Sequence, residues 1–314
     1  MSFQPISVRE AVEKINDHDR GGFFLPAIQR PYVWGSRYEG ELYICKLFDS
    51  ILRGYPIGTL IIWNTPLEIP FREFYTNYNM NELPEIEMVD KGCFAKKDKN
   101  LIYDGQQRLQ TLFSCLRYTL NSKVLTYDLF FDIDSKDIDP NETGFHFFEK
   151  DSQVEPHYLR MTELFSKNEK EEYDYKDKVM ERLGELSRER KRIIEKNLGE
   201  LWKVFVTTDK KALAYFPTRQ EDERSVKDIF QRLNTGGVAL SQSDLLFSRI
   251  KESDYNFESK LQVSAKDIYS LTRKGFFFDA YNILQAVNLL VMGTIRIEPD
   301  KAYLKHQQIK FNAY

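Results

Sequence analysis

The chain has 314 residues, 42% of them hydrophobic, and its 45 Lys+Arg against 48 Asp+Glu leave a net charge of −3. That length supports a sizeable core in one large domain or two ordinary ones, and that charge excludes a global positive field, so any DNA contact must come from a local patch. A membrane span is excluded too: the strongest apolar run, residues 280–291, is broken by Asn282, Gln285 and Asn288 and reads as a core helix.

Residues 6–15 place Val8, Val12 and Ile15 at helical spacing and run into a polar, glycine-bearing turn at 16–22. Phe23, Phe24 and Leu25 predict a short strand. Pro26 and Pro31 then bracket Gln29 and Arg30, which predicts an extended segment with its polar side chains on display and with Tyr32 and Trp34 projecting on one side. An Arg and a Gln beside two flat rings can clasp a base or a phosphate. The plainer reading makes Tyr32 and Trp34 core residues whose polar tips are satisfied locally.

Residues 37–53 fit an amphipathic helix closed by Gly54, and 56–63 read as a buried strand. The polar run 91–100 reads as a loop in which Lys96, Lys97 and Lys99 offer a DNA-facing patch or simply a solvated surface. Leu101, Ile102 and Tyr103 are β-prone. Asp104-Gly105-Gln106-Gln107-Arg108 follows as a polar turn, and Leu109, Leu112, Phe113 and Leu116 recur at helical spacing. Asp104 stands where an N-cap belongs and Gln107 completes a capping box, while Gly105 admits a close approach of backbone or ligand. The first turn of such a helix, with the planar fork of Arg108, makes a phosphate seat beside a carboxylate able to hold a hard metal ion. The same residues also fit a capped helix whose Arg108 pairs with a surface carboxylate.

Residues 124–133 are β-rich and end in an acidic loop, Asp132, Asp134, Asp137 and Asp139, which lacks the glycine and terminal glutamate of an EF-hand. Residues 144–148 predict another strand. From Met161 the pattern turns helical, and 167–199, dense in Glu, Lys and Arg with a sparse apolar stripe, predict a long exposed helical pair. Residues 212–216 predict a strand returning to the core. Val226, Ile229, Phe230 and Leu233 keep helical spacing, Asn234-Thr235-Gly236-Gly237 ends that helix, and Ser241 with Asp244 opens the next. A loop between two helix ends with Arg232 nearby can grip an anion or merely connect.

Three stretches together carry more than any one. Residues 24–34 (Phe-Leu-Pro-Ala-Ile-Gln-Arg-Pro-Tyr-Val-Trp), then Asp104 to Leu109, then 230–241 (Phe-Gln-Arg-Leu-Asn-Thr-Gly-Gly-Val-Ala-Leu-Ser) resemble, in order, the signatures of the ParB/sulfiredoxin-like N-terminal domain of GmrSD-type, modification-dependent restriction proteins. The resemblance covers roughly residues 1–250; it departs at Gln110, where a threonine is more usual. It implies a bacterial anti-phage protein that binds and hydrolyses a nucleoside triphosphate at the Asp104–Arg108 turn, where the carboxylate would hold Mg²⁺, and senses modified double-stranded phage DNA near residues 29–34. It also implies that cutting belongs to a separate HNH-type nuclease domain or subunit. Carried onto these positions, Asp104 is the metal ligand and, with Gln106, Gln107 and Arg108, the hydrolytic set. Gly105, Arg108, Arg232, Asn234, Gly236 and Gly237 would bind nucleotide, and Gln29, Arg30, Tyr32 and Trp34 would read DNA. The expected fold class is α+β: a small mixed-sheet core over residues 1–160 and a mostly helical region over 161–314 that returns strand 212–216 and the third motif to the core.

The residues themselves narrow this further. No G-x-x-x-x-G-K-[ST] is present, so hydrolysis would not run on a P-loop. His18, His146, His157 and His306 form no H-x-x-x-H pair and no HNH-like group, which disfavours a nuclease in its own right. A DNA-binding module using nucleotide only as a switch is the remaining alternative, and a homo-oligomer fits either reading. Cys45, Cys93 and Cys115 are odd in number without metal-ligand spacing, and the N-terminus is polar and unbasic; both features favour a reducing cytoplasm.

Overall fold

The computed structural model describes residues 2–19, 21–27, 29, 32, 34, 40–65, 71–76, 99–121, 126–136, 143–218, 247, 257–271, 278–294 and 297. The third motif, with Arg232, Asn234, Gly236 and Gly237, lies outside them, as do Arg30, Cys93, Lys96, Lys97, Asp137 and Asp139.

The α+β expectation holds. A six-stranded mixed sheet runs in the order β1 (Gln4–Ile6), β10 (Leu213–Thr218), β3 (Leu60–Thr65), β5 (Lys99–Asp104), β2 (Phe23–Pro26), β4 (Phe71–Arg72). β10 is parallel to β3 and β2 to β5, while β1–β10, β3–β5 and β2–β4 are antiparallel. A second sheet places β7 (Thr126–Asp132) between β8 (Phe145–Glu149) and the two short strands β6 (Leu120–Asn121) and β9 (Tyr158–Arg160). Residues 56–59 are not strand, against expectation, because the chain bends at Gly58, where φ is +87°, before β3 begins.

Helix α1 (Val8–Lys14) starts at a capping box in which Ser7 Oγ accepts from Glu10 N–H at 3.1 Å and the Glu10 carboxylate accepts from Ser7 N–H at 2.8 Å. α2 (Gly40–Arg53) and α3 (Gln106–Arg117) follow, then α4 (Met161–Phe165), α5 (Glu172–Leu183) and α6 (Arg188–Leu201), which runs on into a π-helical turn, Trp202–Val206. α5 and α6 form the exposed pair that the charge pattern predicts: α5 buries only Tyr175 and Val179, and α6 only Ile194, Leu198 and Leu201.

One apolar cluster joins the sheet region to this helical region, with Phe48 of α2, Phe145 of β8 and Phe205 of the π turn packed ring on ring at 5.5–6.3 Å. Arg9 ties the same two parts by polar bonds. Its Nε donates to Val206 O at 3.0 Å, Nη1 to Phe165 O at 2.8 Å and Nη2 to Lys167 O, while its guanidinium lies over the Phe165 ring. A cation is favourable there because the last carbonyls of a helix lack intrahelical partners.

A smaller cluster holds α7 (Phe257–Leu271) against α8 (Ala280–Met292) through Phe257, Leu261, Ala280 and Leu284. α8 is the helix expected from its apolar run, but it is not wholly a core helix: Leu289 is 47% and Leu290 85% exposed. Among the described residues, no helix is long and apolar enough to cross a membrane.

Candidate functional site

The Asp104–Arg108 turn joins β5, a central strand, to α3, and its local geometry starts with a register fault. Ile61 of β3 stands opposite Asp104 and Ile62 opposite Ile102, so the pairing skips Tyr103. A bulge of this kind re-aims the side chains beside it. Gly105 then adopts φ +91° and is itself the N-cap of α3, with no side-chain cap bond. This corrects the capping box expected from Asp104 and Gln107. A left-handed residue is needed to turn the strand into the helix, and a Cβ at Gly105 would stand 2.3 Å from Leu60 Cδ2, so only glycine fits.

Asp104 is released from capping and meets Arg108 instead. Arg108 Nη2 donates to Asp104 Oδ2 at 3.0 Å and to Thr59 O at 3.1 Å, and Nη1 donates to Ile57 O at 2.7 Å. Burial pulls the guanidinium below its usual pKa, and Asp104 pulls it back up. The carboxylate is open, 43% exposed against 15% for Arg108, and its Oδ1 makes no bond among the described residues. Gln106 and Gln107 lie on the inner side, 5% and 9% exposed.

The first motif packs behind this turn. Gln29, 5% exposed, donates from Nε2 to the carbonyl of Tyr103, the residue that the register skips, at 3.0 Å. Tyr32, 2% exposed, shares a 2.7 Å hydrogen bond between its hydroxyl and Thr111 Oγ1 of α3. The expectation that residues 26–34 display these side chains is therefore corrected: Gln29 and Tyr32 face β5 and α3. Trp34 is half-buried, its ring 6.3 Å from that of Tyr43.

Two contributors escaped the sequence reading. Gln110, 1% exposed, accepts from Tyr75 N–H and donates to Tyr75 O, both at 2.9 Å, and also donates to Ser114 Oγ at 3.0 Å. The departure from the family pattern at this position thus bolts α3 to the chain after β4. The other is the 57–59 loop that wraps Arg108; Gly54, Pro56 and Gly58 within five residues are its turn signal.

Asp132 and Asp134, the two described aspartates of the acidic loop, are engaged elsewhere. Asp134 pairs with Arg190 of α6 and Asp132 Oδ1 accepts from Asp134 N–H at 2.9 Å. Among the described residues, no three His, Cys, Asp or Glu come together as a metal cluster.

A family model, described as the N-terminal domain of the GmrSD restriction endonuclease, matches residues 10–251. The chain belongs to this family. Membership makes it a restriction-system module, and the matched span takes in both the Asp104–Arg108 turn and the third motif. The chain is also similar to an uncharacterized protein of Methanocaldococcus jannaschii, 28% identical over 250 residues, which are 73% of this chain and 39% of that relative. It thus spans well under half of the relative's length.

Proposed function

We propose that this chain is the nucleoside-triphosphate-binding and hydrolysing sensor of a bacterial anti-phage restriction system directed at modified DNA, and that it controls a separate HNH-type nuclease domain or subunit. The observation that carries the reading is the Asp104 carboxylate. One oxygen is fixed by Arg108, and the other makes no bond among the described residues; the carboxylate is 43% exposed and stands just before a helix whose first residues are buried and which has no side-chain cap. Mg²⁺ characteristically takes one or two carboxylates and completes its shell with waters and substrate phosphates, so a single open carboxylate at a helix start fits it.

Bound there, the ion supplies neutralisation of phosphate charge. Asp104 would hold it, and the Gly105 N–H and Arg108 would hold phosphate oxygens, Arg108 adding the second positive centre. Gln106 or Gln107 would orient the attacking water, and Arg232, Asn234, Gly236 and Gly237 of the third motif would complete the phosphate contacts. The segment carrying Gln29, Arg30, Tyr32 and Trp34 reads the DNA, with Gln29 and Tyr32 linking it to β5 and α3.

The test is turnover of ATP, GTP, CTP and UTP with Mg²⁺, with and without modified phage DNA. Weak basal hydrolysis is expected, and Arg108→Ala should lower it about 10²–10³-fold, some ~2–4 kcal/mol of transition-state stabilisation. Unchanged turnover in a folded Arg108→Ala protein overturns the assignment, and nucleotide binding without turnover reduces the nucleotide to a switch. Purified protein should not nick modified plasmid; nicking abolished by Asp104→Ala would make the chain a nuclease.

A further inference from the structure

The loop before β3 holds Arg108 on three sides. Ile57 and Thr59 each present a carbonyl to it, at 2.7 and 3.1 Å. Between them Gly58 comes so close that a Cβ there would stand 2.7 Å from Nη1 and 3.4 Å from Cζ. Gly105 bounds the guanidinium on another side, where a Cβ would lie 3.4 Å from Nη2. Nη2 bonds both Thr59 O and Asp104 Oδ2, so a shift of the guanidinium against the loop also shifts the carboxylate.

We propose that Gly58, with the Ile57 and Thr59 carbonyls, is a positioning element that seats the Arg108 guanidinium and through it fixes the orientation of the Asp104 carboxylate. The slot is geometric and independent of any ligand; its consequence for turnover rests on the phosphate reading of the site. Gly58 touches no reacting atom and acts only through Arg108. Any side chain at position 58 must push the guanidinium away, since the far end of a flexible arginine gives way more readily than the backbone of the 57–59 loop.

Gly54 provides the control. It too is left-handed, at φ +74°, but a Cβ there meets nothing within 4 Å. Gly54→Ala and Gly58→Ala therefore carry the same kind of backbone strain, and only the second presses on Arg108. The first readout is phenylglyoxal modification of Arg108 in the full chain, located by peptide mass, with the exposed Arg188 and Arg192 as fast references. Arg108 should react slowly in the wild type and in Gly54→Ala, and several-fold faster in Gly58→Ala. Equal rates in the two alanine variants overturn the proposal. So does modification of wild-type Arg108 as fast as Arg188, an arm that holds even where Gly58→Ala fails to fold.

The second readout is nucleotide turnover. Gly58→Ala should lower kcat about tenfold or more beyond Gly54→Ala, since displacement of a reacting geometry by an ångström is costly, and should add nothing in an Arg108→Ala background. An equal loss in both backgrounds marks Gly58 as merely structural. A wild-type chain that turns over no nucleotide removes the phosphate reading alone, and arginine modification then decides the positioning proposal by itself.

Discussion

Around α3 the polar side chains point inward: Gln29, Gln106, Gln107, Gln110, Thr111 and Ser114 are all buried. Along α5 and α6 they point outward, and the pairs they make, Lys176–Glu172 and Arg190–Asp134, are part-exposed. Both regions are rich in polar residues, but the two arrangements do different physical work. A buried amide that bridges two backbone groups fixes one register and is costly to remove, whereas an exposed ion pair exchanges freely with water and salt. The difference separates a braced site from a solvated scaffold.

Removing the most tightly bonded brace should give the largest stability effect. Gln110→Ala deletes the partners of Tyr75 N–H and Tyr75 O and of Ser114 Oγ in a 1% exposed position. Each orphaned buried group costs ~1–3 kcal/mol, so the variant should lose about 3 kcal/mol or more in urea unfolding at pH 7. A loss under ~1 kcal/mol would mean that water reaches these groups, and the contrast with α5 and α6 would collapse.

The asymmetry also explains what the sequence could disclose. The change from β-prone residues to helical spacing at Asp104–Gly105 is local, so the strand, turn and helix there were legible, as were the charged faces of α5 and α6. The cap was misplaced because Asp104 and Gly105 are both plausible N-caps, and only the β3–β5 bulge, set by a distant strand, decides between them. Two prolines announce an extended segment but not which way Gln29 and Tyr32 face; their partners lie 74 and 79 residues away. Gln110 is a polar residue at an inward helix position, and nothing local names Tyr75, 35 residues back, as its partner. The third motif, to which the sequence assigns Arg232, Asn234, Gly236 and Gly237 of the nucleotide-binding set, lies outside the described residues.

A buried carboxylate in the second sheet sharpens the contrast, since it is interior but poorly braced. Asp128 is 2% exposed; Oδ2 lies 3.3 Å from Arg160 Nε, and Oδ1 has no hydrogen-bond partner among the described residues. Burial raises its pKa, against the opposing pull of Arg160 and Lys150. A carboxyl with a raised folded-state pKa lends stability below the unfolded value of about 3.9, and that stability is lost as pH rises through the folded value. At neutral pH the charge is therefore a burden, and Asp128→Asn should stabilise the fold by something on the order of 1 kcal/mol at pH 7. The gain should shrink in thermal melts as pH falls through the folded-state pKa of Asp128, because its carboxyl then takes up a proton and loses the buried charge. A variant less stable than wild type at pH 7 would show that Arg160 fully compensates the charge.

The smallest effect belongs to the solvated scaffold. Lys176 Nζ lies 2.5 Å from Glu172 Oε1 one turn earlier on α5, with side chains 27% and 36% exposed. The order, Glu four residues before Lys, suits the helix dipole, yet such exposed pairs are worth only ~0.3–0.5 kcal/mol and are screened by salt. Lys176→Ala should therefore cost less than about 0.5 kcal/mol at low ionic strength, and alanine's higher helix propensity offsets part even of that. Urea unfolding of wild type and variant at 20 mM and at about 1 M salt, where the Debye length falls to ~3 Å, separates the charge contribution from packing. A cost that persists in high salt would come from packing of the Lys176 side chain, whose Nζ lies beside Gly199 of α6, and not from its charge, and α5 would then be braced much as α3 is, by close packing and not by an exchangeable surface pair.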